Sequence, residues 1–216
     1  MSVNTAMSVN TVDLTIDAAV DAVIAAGRDA AARGWVPATA GNFSVRTGEL
    51  IAITRTGRDK GRLRPEDIAV VSLTGPFGDD LSAEAALHFT RYAADPQVGA
   101  IFHAHIPIAA VLGRRHAHEG QLLLHGWELQ KAFAGVNSHL MSVRVPIVHN
   151  DQDMQALAAA AEMELQRADG GITAPGYLIA GHGVNAWGRT SKEAQRHLEA
   201  FEALLTLHMD WSEIPS

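Results

Sequence analysis

Apolar residues follow two different spacings along this chain, and each spacing predicts one kind of secondary structure. In residues 12–33 they recur at every third or fourth position and Gly34 follows, which predicts an amphipathic helix. Short apolar runs bounded by turn residues predict buried strands. These runs are 50–54, 68–73, 100–107, 143–148 and 177–188. Further helical patterns occupy 81–94, 108–115, 154–167 and the segment that begins at Thr190.

The alternation of these elements predicts an α/β layered domain in which helices flank one central sheet. No linker rich in Gly, Ser or Pro divides the chain, and 216 residues suffice for one domain with a full core. We expect this domain to extend over residues 12–210. Residues 1–11 contain the sequence MSVN twice and are expected to form a disordered tail.

The composition is that of a globular protein and narrows the classes of function. Hydrophobic residues make up 47% and charged residues 19% of the chain. The formal net charge of -7 argues against a nucleic-acid-binding surface, and no apolar run is long enough to span a bilayer. The first residues show neither the basic nor the apolar region of a secretory signal. We therefore expect a cytoplasmic protein without nucleic-acid or membrane partners.

Histidines are the candidate metal ligands, because the chain has 11 of them and no cysteine. His103 and His105 lie two positions apart in an apolar run, and residues i and i+2 of a strand point to the same face. Both imidazoles could therefore bind one ion. Two separately hydrogen-bonded histidines at a strand end are an equally good interpretation of this motif alone. His182, between two glycines, belongs either to a tight hairpin or to the same metal site.

Two further segments carry groups that suit a phosphate. The loop 54–61 combines threonine hydroxyls, glycines and Lys60, which together suit an oxyanion, although the loop alone favours a solvated turn. Ser82 and Glu84 come at the start of a helical pattern. They are either a helix cap with a first-turn acid, or groups that meet a phosphate and a metal-bound substrate.

Glu128 lies among apolar residues in the segment 122–131. A partly buried glutamate has a raised pKa and is useful for proton transfer, which makes Glu128 a candidate acid/base. The alternative is a surface glutamate paired with a nearby lysine.

Taken together, five segments resemble the class II aldolase/adducin family. They are AGNFSVR (40–46), ITRTGRDKG (53–61), LSAE (81–84), HAH (103–105) and LIAGHGVNAWG (178–188), in the family's order. The resemblance implies a single layered domain with a central, mostly antiparallel sheet flanked by helices. It also implies a homo-oligomer, with a tetramer favoured, and a small sugar-phosphate substrate.

The same resemblance implies roles for individual residues. His103, His105 and His182 match the ligands of a divalent metal, usually zinc, with one ion per subunit. Glu84 matches the acid/base carboxylate of the family's sugar-phosphate aldolases. The positions that match phosphate-binding residues are Asn42, Thr56, Gly57 and Ser82, with Lys60 as an additional contact.

Two segments resemble the family's dehydratase branch, which removes water from 5-methylthioribulose 1-phosphate in methionine salvage. They are HGWELQK (125–131) and ITRTGRDKGRLRPEDI (53–68), whereas AFAG (132–135) departs from the usual glycine-containing run. The resemblance implies Glu128 as the catalytic acid/base, with Glu84 as a second catalytic carboxylate. The alternative activity is a ketose 1-phosphate aldolase. A metal-free, adducin-like binding module is disfavoured because all three histidines are present.

Overall fold

The computed structural model describes residues 14–76, 78–167 and 171–212, and the secondary structure below is that of these residues. The helices are α1 (Ile16–Ala32), α2 (Ala85–Ala94), α3 (Pro107–Arg115), α4 (Met154–Leu165) and α5 (Ser191–Ser212). The strands are β1 (Asn42–Thr47), β2 (Leu50–Thr54), β3 (Ile68–Ser72), β4 (Ala100–Ala104), β5 (Gln121–Leu124), β6 (Val143–Val148), β7 (Ile172–Thr173), β8 (Gly176–Ile179) and β9 (Gly183–Gly188). The expected disordered tail, residues 1–11, lies outside the described residues, and the domain limits 12–210 stay a prediction.

The strands form one mixed sheet in the order β3-β2-β1-β4-β9-β8-β6-β5, with β7 beside β6. Pairing is antiparallel except where β6 runs parallel to β7 and β8. The predicted α/β layered fold with a mostly antiparallel central sheet is therefore confirmed. β4 lies inside the sheet between β1 and β9, and all five of its residues are buried.

Helices cover both faces of the sheet. α2 and α4 pack on one face, and α1, α3 and α5 pack on the other. α5 shows why: its residues Ala194, Leu198, Phe201 and Leu205 are buried at three- and four-residue spacing, so one apolar stripe faces the core. None of the helices in the described part of the chain is both long and apolar enough to cross a membrane.

The register of the central strands aligns polar residues next to β4. Asn42 of β1 and Asn185 of β9 are both paired with His103 of β4. Directly paired residues point to the same face of a sheet, so these three side chains form a row across it. All three are buried, and α2 covers this face, since Glu84 at its start contacts Asn42.

Some element boundaries differ from those that the spacing predicts. α1 begins at Ile16 because the Thr15 hydroxyl accepts the Ala18 amide hydrogen and caps the helix. α2 begins at Ala85, so Ser82 lies before the helix and not at its cap. The apolar pattern does not predict β5 and β7, because strands of four and two residues are too short to show a period.

Candidate active site

Three histidine side chains meet where the central strands β4 and β8 end. His103 belongs to β4, His105 follows that strand, and His182 lies in the turn between β8 and β9. The His182 Nε2 atom lies 3.3 Å from His103 Nε2 and 3.0 Å from His105 Nε2. The structure thus brings together the three residues named as metal ligands.

Two glycines allow the neighbouring backbone to approach β4 at this point. A Cβ atom on Gly183 would lie 2.3 Å from the Ala104 carbonyl oxygen, and one on Gly41 would lie 2.6 Å from the His103 carbonyl oxygen. Both distances are far below van der Waals contact. A side chain at either position would push the adjacent strand away and separate the histidines.

Glu84 completes this group of side chains. Its Oε1 lies 2.9 Å from His182 Nε2, and its Oε2 lies 3.6 Å from His103 Nε2. The Asn42 amide donates a hydrogen bond of 2.7 Å to Oε2. The candidate ligand atoms of Glu84, His103, His105 and His182 all lie within 4.8 Å of one another.

Hydrogen bonds at the far side of two imidazoles orient them for metal binding. His103 Nδ1 lies 3.1 Å from the Val184 carbonyl oxygen, and His182 Nδ1 lies 3.3 Å from Asn150 Oδ1. A carbonyl oxygen only accepts, so each Nδ1 carries the hydrogen and each Nε2 keeps its lone pair. Two nitrogens bound to one tetrahedral zinc lie about 3.3 Å apart, given a Zn–N distance of about 2.05 Å. The converging acceptors therefore fit a divalent cation.

Protonation states at this cluster also favour a cation. Burial lowers the pKa of His103 to about 3, and it lowers the pKa of His105 as well. Burial alone would raise the pKa of Glu84, but the contact with His182 and the electrostatic influence of the three imidazoles outweigh it and lower the pKa to about 2. At neutral pH His103 and His105 are therefore neutral and Glu84 is a carboxylate, which are the forms that bind metals.

A cavity of about 230 Å³ adjoins the cluster, and Glu84 and His105 form part of its wall. The structure also brings to this cavity every residue named for phosphate binding. These residues are Asn42, Thr56, Gly57, Lys60 and Ser82. Their amide, hydroxyl and ammonium groups are hydrogen-bond donors that suit phosphate oxygens.

Lys60 holds two segments of the cavity wall in place. Its ammonium donates to the carbonyl oxygens of Thr39, at 2.6 Å, and Arg58, at 2.9 Å. Thr39 has a φ of 63°, an unfavourable backbone conformation for a β-branched residue. Burial lowers the pKa of Lys60 to about 8, although Glu84 and Asp59 raise it. Lys60 therefore remains charged at neutral pH and can both fix this loop and face an anion.

Glu128 does not lie at this cluster or cavity in the single chain. The prediction that it is partly buried with a raised pKa is wrong. It begins a short 3-10 helix, its side chain is 70% exposed, and it pairs with Lys131. The hydrogen bond from Lys131 lowers the pKa of Glu128 instead of raising it. The physical reason is that this helix follows the edge strand β5 and leaves Leu129 exposed as well. Glu128 does not line the cavity, so its catalytic role stays a prediction.

Asn150 is a site residue that sequence reasoning missed. It follows β6, whose end lies beside that of β8, and so it reaches the ring of His182. The available signal was a polar residue two positions after the apolar run 143–148. Its position next to His182 depends on which strands are neighbours, and the residue pattern does not specify this.

The fold is that of one known family. Residues 21–209 match the family described as "Class II Aldolase and Adducin N-terminal domain". The chain therefore belongs to the class II aldolase/adducin family, as the sequence motifs predict.

Named relatives lie within one branch of this family. The chain is 54% identical to a protein of Bradyrhizobium sp. strain BTAi1 over 90% of this chain and 91% of that one. It is 52% identical to a protein of Parvibaculum lavamentivorans over 87% of this chain and 91% of that one. Both are named methylthioribulose-1-phosphate dehydratase, so the resemblance to the dehydratase branch is confirmed.

A solved structure shows the same fold. L-fuculose-1-phosphate aldolase from Thermus thermophilus is 28% identical and superposes with a TM-score of 0.72, over 91% of this chain and 98% of that one.

Proposed function

We propose that the protein is a hydro-lyase that removes water from 5-methylthioribulose 1-phosphate and forms 2,3-diketo-5-methylthiopentyl 1-phosphate, a step in methionine salvage. One observation carries this proposal: the cluster of Glu84 and three histidines adjoins a cavity lined by hydrogen-bond donors that suit a phosphate. The name of the relatives, at up to 54% identity, selects this substrate among sugar phosphates.

In this proposal His103, His105 and His182 hold one zinc ion per subunit. Three neutral imidazoles that leave a further position open are a donor set of catalytic zinc sites. When bound, zinc would supply a Lewis acid that polarises the substrate carbonyl at C2. Val184 and Asn150 keep the His103 and His182 rings turned towards the ion.

The cavity residues bind and orient the substrate. Thr56, Gly57, Ser82 and Asn42 offer hydrogen-bond donors, and Lys60 offers a positive charge to the phosphate. An anchored phosphate decides which carbon faces the catalytic carboxylates, and this orientation contributes to the rate. Asn42 also holds Glu84 Oε2, so that one amide side chain links the phosphate cavity to the metal-binding cluster.

Two carboxylates supply the proton transfers of the elimination. Glu128 is the proposed acid/base, which removes the C3 proton and returns a proton to the hydroxyl that leaves C4 as water. The enol formed between C3 and C4 then gives up its hydroxyl proton and takes up a proton at C4, which yields the diketo product. Glu84 is the proposed helper, since it is ionised beside the histidines. Glu128 is exposed and lies outside the cavity of the single chain, so its catalytic role requires that it reach a substrate cavity in the assembled protein. The homotetramer that we also propose provides such an assembly.

The substrate further favours the cytoplasm as the place of action. A sugar phosphate carries charges that make passage through a bilayer unfavourable, so it is consumed in the compartment where it is formed.

Sedimentation of the purified protein at several concentrations tests the homotetramer, and a monomer with full activity would contradict it.

A ketose 1-phosphate aldolase is the second candidate, favoured by the similarity to the L-fuculose-1-phosphate aldolase structure. The test is to supply zinc and 5-methylthioribulose 1-phosphate, and separately a ketose 1-phosphate such as L-fuculose 1-phosphate. We expect the diketo product from the first substrate and no cleavage of the second. Release of dihydroxyacetone phosphate without any diketo product would establish the aldolase instead.

A further inference from the structure

A buried polar network lies beneath α2, outside the cavity and the metal-binding cluster. His88 is fully buried, and its Nδ1 lies 2.7 Å from the Ser44 hydroxyl oxygen. The same oxygen lies 2.8 Å from the Tyr92 hydroxyl. Among the described residues, no hydrogen-bond partner meets His88 Nε2.

This network continues the contacts of the active site along the same two elements. Glu84, His88 and Tyr92 follow one another at four-residue spacing and lie on one side of α2. Asn42 and Ser44 are two positions apart on β1 and point to the same face. Asn42 binds Glu84, and Ser44 binds His88 and Tyr92. The polar contacts therefore join successive turns of α2 to alternate residues of β1.

Glu84 depends on this attachment because it lies at the very start of α2. It occupies the cap position, but its side chain makes no capping hydrogen bond. A shift of α2 along β1 would therefore move the carboxylate relative to Asn42 and the histidines of the other strands. His88, one helical turn later, is the nearest residue on this side of α2 that is bonded to β1.

A packing role alone does not explain an imidazole at this place. Its neighbours Phe89 and Tyr92 contribute to an apolar cluster with Ile53 and Ile101, so an apolar side chain would suit the layer. Burial keeps His88 neutral by lowering its pKa to about 3. A buried ring with an unpaired nitrogen reduces stability, and such groups require another explanation.

We propose that His88 is a positioning residue: its hydrogen bond to Ser44 fixes α2 along β1 and so holds Glu84 against Asn42 and the three histidines. The kinetic part of the test rests on the proposed dehydratase function. The metal-binding part does not, because it needs only the cluster of Glu84 and the histidines.

The test compares four variants of the full-length protein. His88→Leu and Ser44→Ala each remove the contact. Ser44→Ala removes only one hydroxyl oxygen, which His88 and Tyr92 share, so it is the milder change and keeps the test open where His88→Leu does not fold. His88→Asn retains an amide group near the position of Nδ1 and serves as the rescue variant. Leu87→Ala removes buried volume from the same helix, on the side that faces Leu157, and controls for lost packing.

We expect kcat to fall about tenfold or more in His88→Leu and Ser44→Ala, with KM changed less than threefold, because small displacements of catalytic groups reduce rates strongly. We expect His88→Asn to recover most of this loss and Leu87→Ala to lower the melting temperature without lowering kcat. Titration of the metal-free proteins with Co²⁺ should show an altered absorption spectrum in the first two variants only.

Three outcomes would overturn the proposal. They are an unchanged kcat and Co²⁺ spectrum in Ser44→Ala, an equal loss of kcat in Leu87→Ala, or no recovery in His88→Asn. If the wild-type protein does not dehydrate the substrate, the proposed function fails, and the Co²⁺ spectra still decide on His88.

Discussion

Glu84 Oε1 lies 2.9 Å from His182 Nε2, although one residue begins a helix and the other lies in a hairpin turn. Asn150 lies against the other His182 nitrogen, so His182 Nε2 is turned towards the Glu84 carboxylate. Imidazole nitrogens and carboxylate oxygens are both metal ligands, and these two atoms belong to the group of four candidate ligand atoms that lie within 4.8 Å of one another. The contact therefore places Glu84 within the candidate metal-binding cluster.

Replacement of Glu84 by Gln should lower both metal affinity and activity. The variant keeps the size of the side chain but removes its charge, so we expect about tenfold weaker binding of Zn²⁺ and about 10²-fold lower kcat. Calorimetric titration and steady-state kinetics measure the two effects. Glu66→Gln, an exposed glutamate, is the matched control and should leave both unchanged. Wild-type values of both quantities in Glu84→Gln would exclude Glu84 from the site.

Replacement of His103 by Ala should remove metal and activity together. His103 is completely buried and supplies one of three converging Nε2 atoms, so the remaining pair binds the ion far more weakly. Elemental analysis of the purified variant measures the metal content. The control is His116→Ala, in the second His-x-His sequence of the chain, where His116 contacts Glu119 at the surface. A His103→Ala protein that retains one metal per chain would contradict the ligand assignment.

Local spacing accounts for much of the fold and of the candidate site. The apolar runs predict β4 and β6. The two-residue spacing predicts that His103 and His105 can meet, but β4 ends at Ala104, so His105 lies just beyond the strand and not within it as the run 100–107 predicts. The glycines beside His182 indicate a turn, and the structure has one between β8 and β9. These features could be predicted because each depends on residues that are close in the sequence.

Features that depend on packing between distant segments could not be predicted. The contacts of Asn150 with His182 and of Ser44 with His88 require the strand order and the position of α2. For Glu128 the local sequence is misleading, because its apolar neighbours suggest that its side chain is buried. Its short helix instead lies at the sheet edge, where Leu129 is 40% exposed.

Replacement of Asn150 by Ala should weaken metal binding without removing a ligand. The variant loses the acceptor for the His182 Nδ1 hydrogen, which leaves the ring free to turn. Loss of such a contact typically costs 10- to 100-fold in metal affinity or activity, so we expect a change of about this size in the Kd for Zn²⁺. The exposed neighbour Asp151 provides the control as Asp151→Asn. An unchanged Kd in Asn150→Ala would show that the contact does not orient His182.

Replacement of Glu128 by Gln should abolish turnover and leave the metal content near normal. General acid–base catalysis contributes about 10²- to 10⁴-fold, so we expect a loss of kcat in this range. Because the side chain is exposed, the melting temperature should stay within error of the wild type. Glu119→Gln, another surface glutamate, is the control for loss of charge. Dehydration at the wild-type rate in Glu128→Gln would disprove the assignment.

Substrate binding should weaken as the pH rises through the pKa of Lys60, about 8. The phosphate group is already a dianion above pH 7, so its own charge no longer changes there. Below pH 8 the Lys60 ammonium attracts the dianion, and above pH 8 the neutral amine does not. If binding requires the charged form, KM for the substrate rises about tenfold between pH 7 and pH 9.

Lys60→Met should have a high KM that does not change over this range. The exposed Arg58 supplies the control as Arg58→Gln, which should keep the wild-type profile. A wild-type KM that is constant from pH 7 to pH 9 would show that the charge of Lys60 does not contribute to phosphate binding.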